Sequence, residues 1–208
     1  MVLLRCAWVE NRGLLIVAHV GALIPLARLG WAYQQGTLLV DPVGMITMRT
    51  GRAGLTLLLL SLACTPLITL TGWEAVGRLR RELGLYAAAY VGLHALTFLG
   101  LDYGFAWSMI GRAVWQQRYL LAGVVAGVVL GGPALTSLRA WQRRLGQGWS
   151  WLHRLVHLAG ILAVLHFLWQ VKDLREPLWY AIVLSLLLLL RVPFMRTWIV
   201  ATRRRLLA

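Results

Sequence analysis

Apolar runs long enough to cross a bilayer take up most of this 208-residue chain, at residues 13–33, 52–70, 84–101, 119–138, 151–171 and 177–195. About 20 helical residues span the ~30 Å of bilayer hydrocarbon. Inside hydrocarbon every backbone donor and acceptor must be satisfied within the segment, so runs of this kind are helices. The expected fold is all-α: an integral membrane bundle of six transmembrane helices, forming a single domain over residues 1–208. Composition agrees, with 13% charged residues against about 25% in soluble domains. The formal net charge of +14 suggests a nucleic-acid partner. Its arginines, however, sit between apolar runs and form no single basic face, so no such partner is expected.

The first run follows Arg5 and Arg12 but continues from Gly13 to Tyr33 with no small-residue cleavage site after a short core. It reads as a retained helix and not as a signal peptide. The N-terminus, the 71–83 and 139–150 loops and the tail hold twelve arginines: Arg5, Arg12, Arg78, Arg80, Arg81, Arg139, Arg143, Arg144, Arg196, Arg203, Arg204 and Arg205. The opposite connections hold six basic residues, Arg49, Arg52, Arg112, Arg118, Lys172 and Arg175. Both termini are therefore expected to be cytoplasmic. Arg28, Arg154 and Arg191 lie within or near span ends, where such side chains snorkel to the interface.

Pro25, Pro66, Pro133 and Pro193 are expected inside spans as kink sites. Gly123, Gly127 and Gly131 form one stripe of the fourth span, where a backbone or a flat ligand can approach closely; plain helix packing is the simpler reading. Trp149, Trp151, Trp169 and Trp179 fall near span ends and read as interfacial anchors. Cys6 and Cys64 provide no disulfide framework.

All five histidines, His19, His94, His153, His157 and His166, fall inside expected spans, where ionisable groups are costly and usually functional. Neutral imidazole is a good iron ligand, and a large apolar macrocycle fits between the helices of a bundle. Counting along the third and fifth spans puts His94 and His166 at the same depth in the outer half, which favours joint ligation. His153 and His157 share a face at the inner end of the fifth span, and His19 is also in the inner half. The step from His153 to His166 rises about 20 Å, enough to separate ligands into two leaflets, although the side chains then point about 140° apart. For His19 or His157 taken singly, an interhelical hydrogen bond is the simpler reading. No acidic or cysteine cluster suits zinc. Asp41, Asp102 and Asp173 are expected on outer loops, so neither a Ser-His-Asp set nor a buried carboxylate relay is supported, and no catalytic residue is expected.

Several stretches carry a family resemblance: Thr50-Gly51-Arg52, Thr65-Pro66-Leu67, Gly72-Trp73, Arg78 to Leu85, Arg143-Arg144-Leu145-Gly146 with Trp149, Leu152-His153-Arg154, and His166-Phe167-Leu168-Trp169 with Lys172. In that order they resemble the haem-binding membrane subunits of periplasmic methionine sulfoxide reductase systems, within the ferric reductase-like transmembrane group. The similarity runs from about residue 13 to residue 195.

The resemblance implies a b-type cytochrome of the bacterial inner membrane with one or two haem b groups. It implies an electron-transfer subunit that takes electrons from the quinone pool or a flavin reductase. Their destination is a periplasmic molybdopterin-containing methionine sulfoxide reductase, for repair of oxidised proteins. The family's haem-iron ligands carry over to His94, His153 and His166, and FMN is implied without a site. His157 departs from the pattern, which has an aromatic residue there. Arg80 and Arg81 stand where relatives with two stacked haems carry a further histidine, so an inner haem would pair His153 with His19 or His157. Two alternatives remain: a stand-alone transmembrane ferric or metal reductase, and a non-redox transporter whose histidines bond between helices.

Overall fold

The computed structural model describes the backbone of residues 2–37 and 40–206 and the side chains of residues 12–37, 40–203 and 205. The side chains of Arg5, Cys6 and Arg204, and all of Ala208, lie outside the described residues. The described helices are α1 (Val2–Gln34), α2 (Pro42–Thr71), α3 (Leu79–Leu96), α4 (Trp107–Gln116), α5 (Arg118–Leu135), α6 (Arg139–Leu145), α7 (Gln147–Gln170), α8 (Arg175–Leu189) and α9 (Pro193–Leu206). A 3₁₀ turn over Glu74–Arg78 leads into α3, and a π-helical turn over Thr97–Asp102 extends it. No strand occurs among the described residues.

Five segments are long and apolar enough to cross a membrane: Arg12–Gln34, Pro42–Thr71, Glu74–Asp102, Arg118–Leu135 and Gln147–Gln170. The chain is a multi-pass membrane protein. These segments contain most of the first five expected runs, but three expectations need correction.

First, α2 begins ten residues before its apolar run, so Arg49 and Arg52 lie on a helix and not in a loop. Asp41 caps its N-terminus by accepting the Gly44 N–H at 2.9 Å, and Pro42 supplies a preset φ in the first turn. Arg52 then reaches Glu176 on α8.

Second, the sixth run is broken. Helices α8 and α9 meet at 73°, and Pro193 starts α9 instead of kinking a continuous span. Proline lacks the N–H that would continue α8, and it disfavours helical backbone at Val192. The 15 residues of α8 rise only about 22 Å, so a sixth crossing needs the break as well.

Third, Arg191 does not snorkel. It is half-buried at this break, donating to the Leu62 carbonyl at 2.6 Å and to His157 Nε2 at 2.7 Å. Arg28 and Arg154 are exposed, as snorkelling requires.

Two antiparallel hairpins, α2 with α3 and α5 with α7, form the centre, with α1 against α3 and α8 against α7 and α2. One core cluster joins Ala22, Leu58, Ala87, Leu130 and Ala159 across α1, α2, α3, α5 and α7; a second joins Leu59, Val164 and Leu184 across α2, α7 and α8. Between α2 and α3 the turn is tight because Gly72 adopts φ 77° and returns its N–H to the Ile68 carbonyl. Arg203 on α9 adds bonds to the Ile68 and Thr69 carbonyls at 3.4 Å, satisfying acceptors that the helix end leaves open. Tyr90 ties α1 to α3: its hydroxyl donates to the Ala22 carbonyl at 2.7 Å and accepts the Leu26 N–H at 3.2 Å. In a regular helix those two groups would bond each other. The tyrosine inserts there, next to Pro25.

Candidate cofactor site

Helices α3 and α7 bring His94 and His166 together, with ring centres 6.0 Å apart and planes at 83°. Each ring is held from behind in the same way. His94 Nδ1–H donates to the Thr47 carbonyl at 2.8 Å, and His166 Nδ1–H donates to the Tyr119 carbonyl at 2.7 Å. A carbonyl only accepts, so both Nδ1 atoms carry the proton and both Nε2 atoms keep a lone pair. Neither Nε2 has a hydrogen-bond partner among the described residues.

One helical turn beyond each carbonyl stands a glycine. A Cβ built on Gly51 would lie 3.0 Å from His94 Nδ1, and one on Gly123 would lie 2.7 Å from His166 Nδ1. The same displacement along the chain carries Thr47 to Tyr119, Gly51 to Gly123 and His94 to His166. The two hairpins thus repeat one device: a carbonyl, a glycine seat and an imidazole presented inward.

This pair fits an axial ligand set. Metal–imidazole bonds of about 2.0–2.1 Å put two opposed nitrogens roughly 4 Å apart and their ring centres on the order of 6 Å apart. A ligating histidine characteristically gives its other N–H to a carbonyl or carboxylate. Among the described residues no three His, Cys, Asp or Glu side chains converge. Two imidazoles of this kind suit an iron whose other donors come from a macrocycle.

The remaining histidines are placed differently. His153 donates Nδ1–H to the Trp149 carbonyl at 3.0 Å and stacks on the Trp149 ring at 3.9 Å. Its Nε2 has no partner among the described residues. His157 is bonded at both nitrogens, to the Arg154 carbonyl at 2.8 Å and to Arg191. His19 Nδ1 meets the Tyr86 hydroxyl at 2.9 Å. No ring contact joins His153 to His19 or His157 among the described residues. The same displacement along the chain carries Arg81 to His153, so this second level has imidazole on one hairpin and guanidinium on the other.

His153 lines a cavity of about 290 Å³ with Ser61, Arg80, Arg81, Trp149, His157 and Arg191 on its wall and no carboxylate. Trp149 is therefore a wall residue, half-buried, with its indole N–H on the Thr136 carbonyl at 3.1 Å. It is not an interfacial anchor. Trp151, Trp169 and Trp179 are exposed, as anchors should be. Gly127 packs against Val91 of α3, the plain packing role, and a Cβ on Gly131 meets nothing within 4 Å.

A family described as ferric reductase like transmembrane component matches residues 50–164, a stretch that takes in His94, His153 and His157 and stops just short of His166. A protein-methionine-sulfoxide reductase heme-binding subunit MsrQ from Xanthomonas campestris pv. campestris strain 8004 is 45% identical over 181 residues, covering 84% of this chain and 83% of its own. The MsrQ of Rhodospirillum rubrum is 43% identical over 184 residues, covering 87% and 88%. The chain belongs to the MsrQ family. No solved structure matches it. Within this MsrQ-family chain, the sequence did not disclose the roles of Gly51 and Arg191 or the carbonyls of Thr47 and Tyr119. The equal 47-residue separations from carbonyl to histidine were the available signal.

Proposed function

We propose that this chain is a b-type cytochrome of the bacterial inner membrane. On this reading it carries electrons from the quinone pool or a flavin reductase outward to a periplasmic molybdopterin-containing methionine sulfoxide reductase. The observation that carries the reading is the His94–His166 pair, with both Nδ1 protons tied back and both Nε2 lone pairs free. The name of the Xanthomonas and Rhodospirillum relatives, heme-binding subunit, supports the cofactor.

When bound, haem b supplies a one-electron iron couple. Thr47 and Tyr119 fix the tautomer and orientation of the two imidazoles that would hold it, and the surrounding apolar helices keep water away. We assign the inner cavity to a second redox group, haem b or FMN. His153 Nε2 is its protein ligand if it is haem. Arg80 and Arg81 match the propionates of the one or the phosphate of the other. His19 and His157 are assigned to interhelical bonding. The chain acts as one domain with cytoplasmic termini, as the arginine distribution supports.

Purified from haem-replete cells, the protein should give a b-type spectrum on reduction with dithionite. A folded but colourless preparation would sink the proposal. For orientation, a reporter enzyme fused after Ala208 should act as a cytoplasmic one, and periplasmic activity of that fusion would invert the two levels.

A further inference from the structure

At the break in the last span lies a second cavity of about 370 Å³, which shares His157 and Arg191 with the one beside His153. Its wall comes from the last turns of α2, the first turns of α7 and the α8–α9 break. Thr65, Thr69, Arg154, His157, Arg191 and Arg196 line it, and Asp and Glu do not. The two ion pairs among the described residues, Arg52–Glu176 and Arg81–Glu82, lie elsewhere. Three guanidiniums thus share one concavity with no carboxylate. Arg154 sits over the Trp151 ring at 5.2 Å, and Arg191, whose Nη atoms bond His157 and the Leu62 carbonyl, keeps a buried Nε–H with no partner among the described residues. Guanidiniums that share one concavity at the edge of hydrocarbon repel unless an anion lies among them.

The surroundings indicate which anion. The cavity lies near one end of the spans, on the side of the termini. There α9 turns away at 73° and exposes Phe194 and Trp198 alongside Arg196. A basic helix that packs on the end of α2 through Arg203 while exposing aromatics at this level lies in the headgroup layer. At that depth the abundant anion is the lipid phosphate, and guanidinium forks match its oxygens.

We infer that this cavity binds the phosphate of an anionic phospholipid from the leaflet on the side of the termini, held by Arg154, Arg191 and Arg196. Basic pockets between spanning helices serve acidic headgroups in this way. The site does not depend on the haem assignment.

The test titrates delipidated full-length protein with phosphatidylglycerol, phosphatidylcholine or inorganic phosphate and counts bound molecules by native mass spectrometry. One phosphatidylglycerol should be retained in preference to phosphatidylcholine. The pair Arg154→Gln and Arg196→Gln should weaken it about 25-fold, roughly fivefold for each charge near the surface. Removing the same charge from the same side with Arg139→Gln and Arg143→Gln should change it less than twofold. If the first pair fails to fold, Arg196→Gln alone, at an exposed position, should still show the fivefold loss. Equal retention of the two lipids, or equal weakening by the two pairs, would overturn the inference. Displacement of phosphatidylglycerol by millimolar inorganic phosphate would also overturn it, by making the ligand a soluble phosphate.

Discussion

Replacing either His94 or His166 with alanine should remove the outer haem, whereas His19→Ala should leave the haem complement unchanged. The two imidazoles meet at that level with no third His, Cys, Asp or Glu beside them among the described residues, so losing one would leave the proposed haem iron with a single protein ligand. His19 has no part in the pair, since its Nδ1 is engaged with Tyr86 on another part of α3. The measurement is haem per protein by pyridine haemochrome, with the reduced spectrum alongside. Full haem content with an unaltered spectrum in either of the first two variants would refute the pairing.

The second large effect is expected at a residue with no functional group. Gly123→Ala puts a methyl group 2.7 Å from His166 Nδ1, inside contact distance, and that ring is not a free end that can swing aside. It is fixed by its bond to the Tyr119 carbonyl. The ring must shift and the bond must stretch, and loss of such a supporting contact typically costs about 10–100-fold in metal affinity. Gly51→Ala, at 3.0 Å from His94 Nδ1, should have a milder effect. Gly131→Ala, with nothing within 4 Å, should have none. Haem retention and midpoint potential should follow that order, and a Gly131 variant as impaired as the Gly123 variant would reduce the glycine seats to ordinary helix packing.

The bundle was legible because hydrocarbon thickness sets a length that the sequence must meet, and the runs meet it. His94 and His166 were legible for a related reason. Depth follows from counting residues at fixed rise, and two helices running in one direction bring similar counts, 7 and 5 residues from their outer ends, to one level. Counting apolar residues missed what depends on single polar groups. The first turns of α2 are nucleated by Asp41 and Pro42 and carry Arg49 and Arg52, which no hydropathy window favours. Arg191 looks like a snorkelling end residue until Pro193 breaks the helix and turns its guanidinium inward to Leu62 and His157. Rotation about the helix axis was the other gap. It decides that His157 is bonded at both nitrogens while His153, one turn away, keeps Nε2 open to the cavity. It also decides that Trp149 stacks on His153 and does not anchor at the interface.

The account stands most directly on electron delivery to a partner outside the membrane. Membranes containing the reduced protein are mixed with a purified periplasmic methionine sulfoxide reductase and its sulfoxide substrate, and haem reoxidation is followed by absorbance. In the proposed orientation the surface that would face that partner carries Asp102, Asp173 and the Arg52–Glu176 pair, so docking there should be partly electrostatic and weaken with salt. Reoxidation should quicken only when reductase and substrate are both present, and it should slow when those charges are reversed. A rate indifferent to the reductase but accelerated by soluble ferric chelates would contradict the account and make the chain a metal reductase.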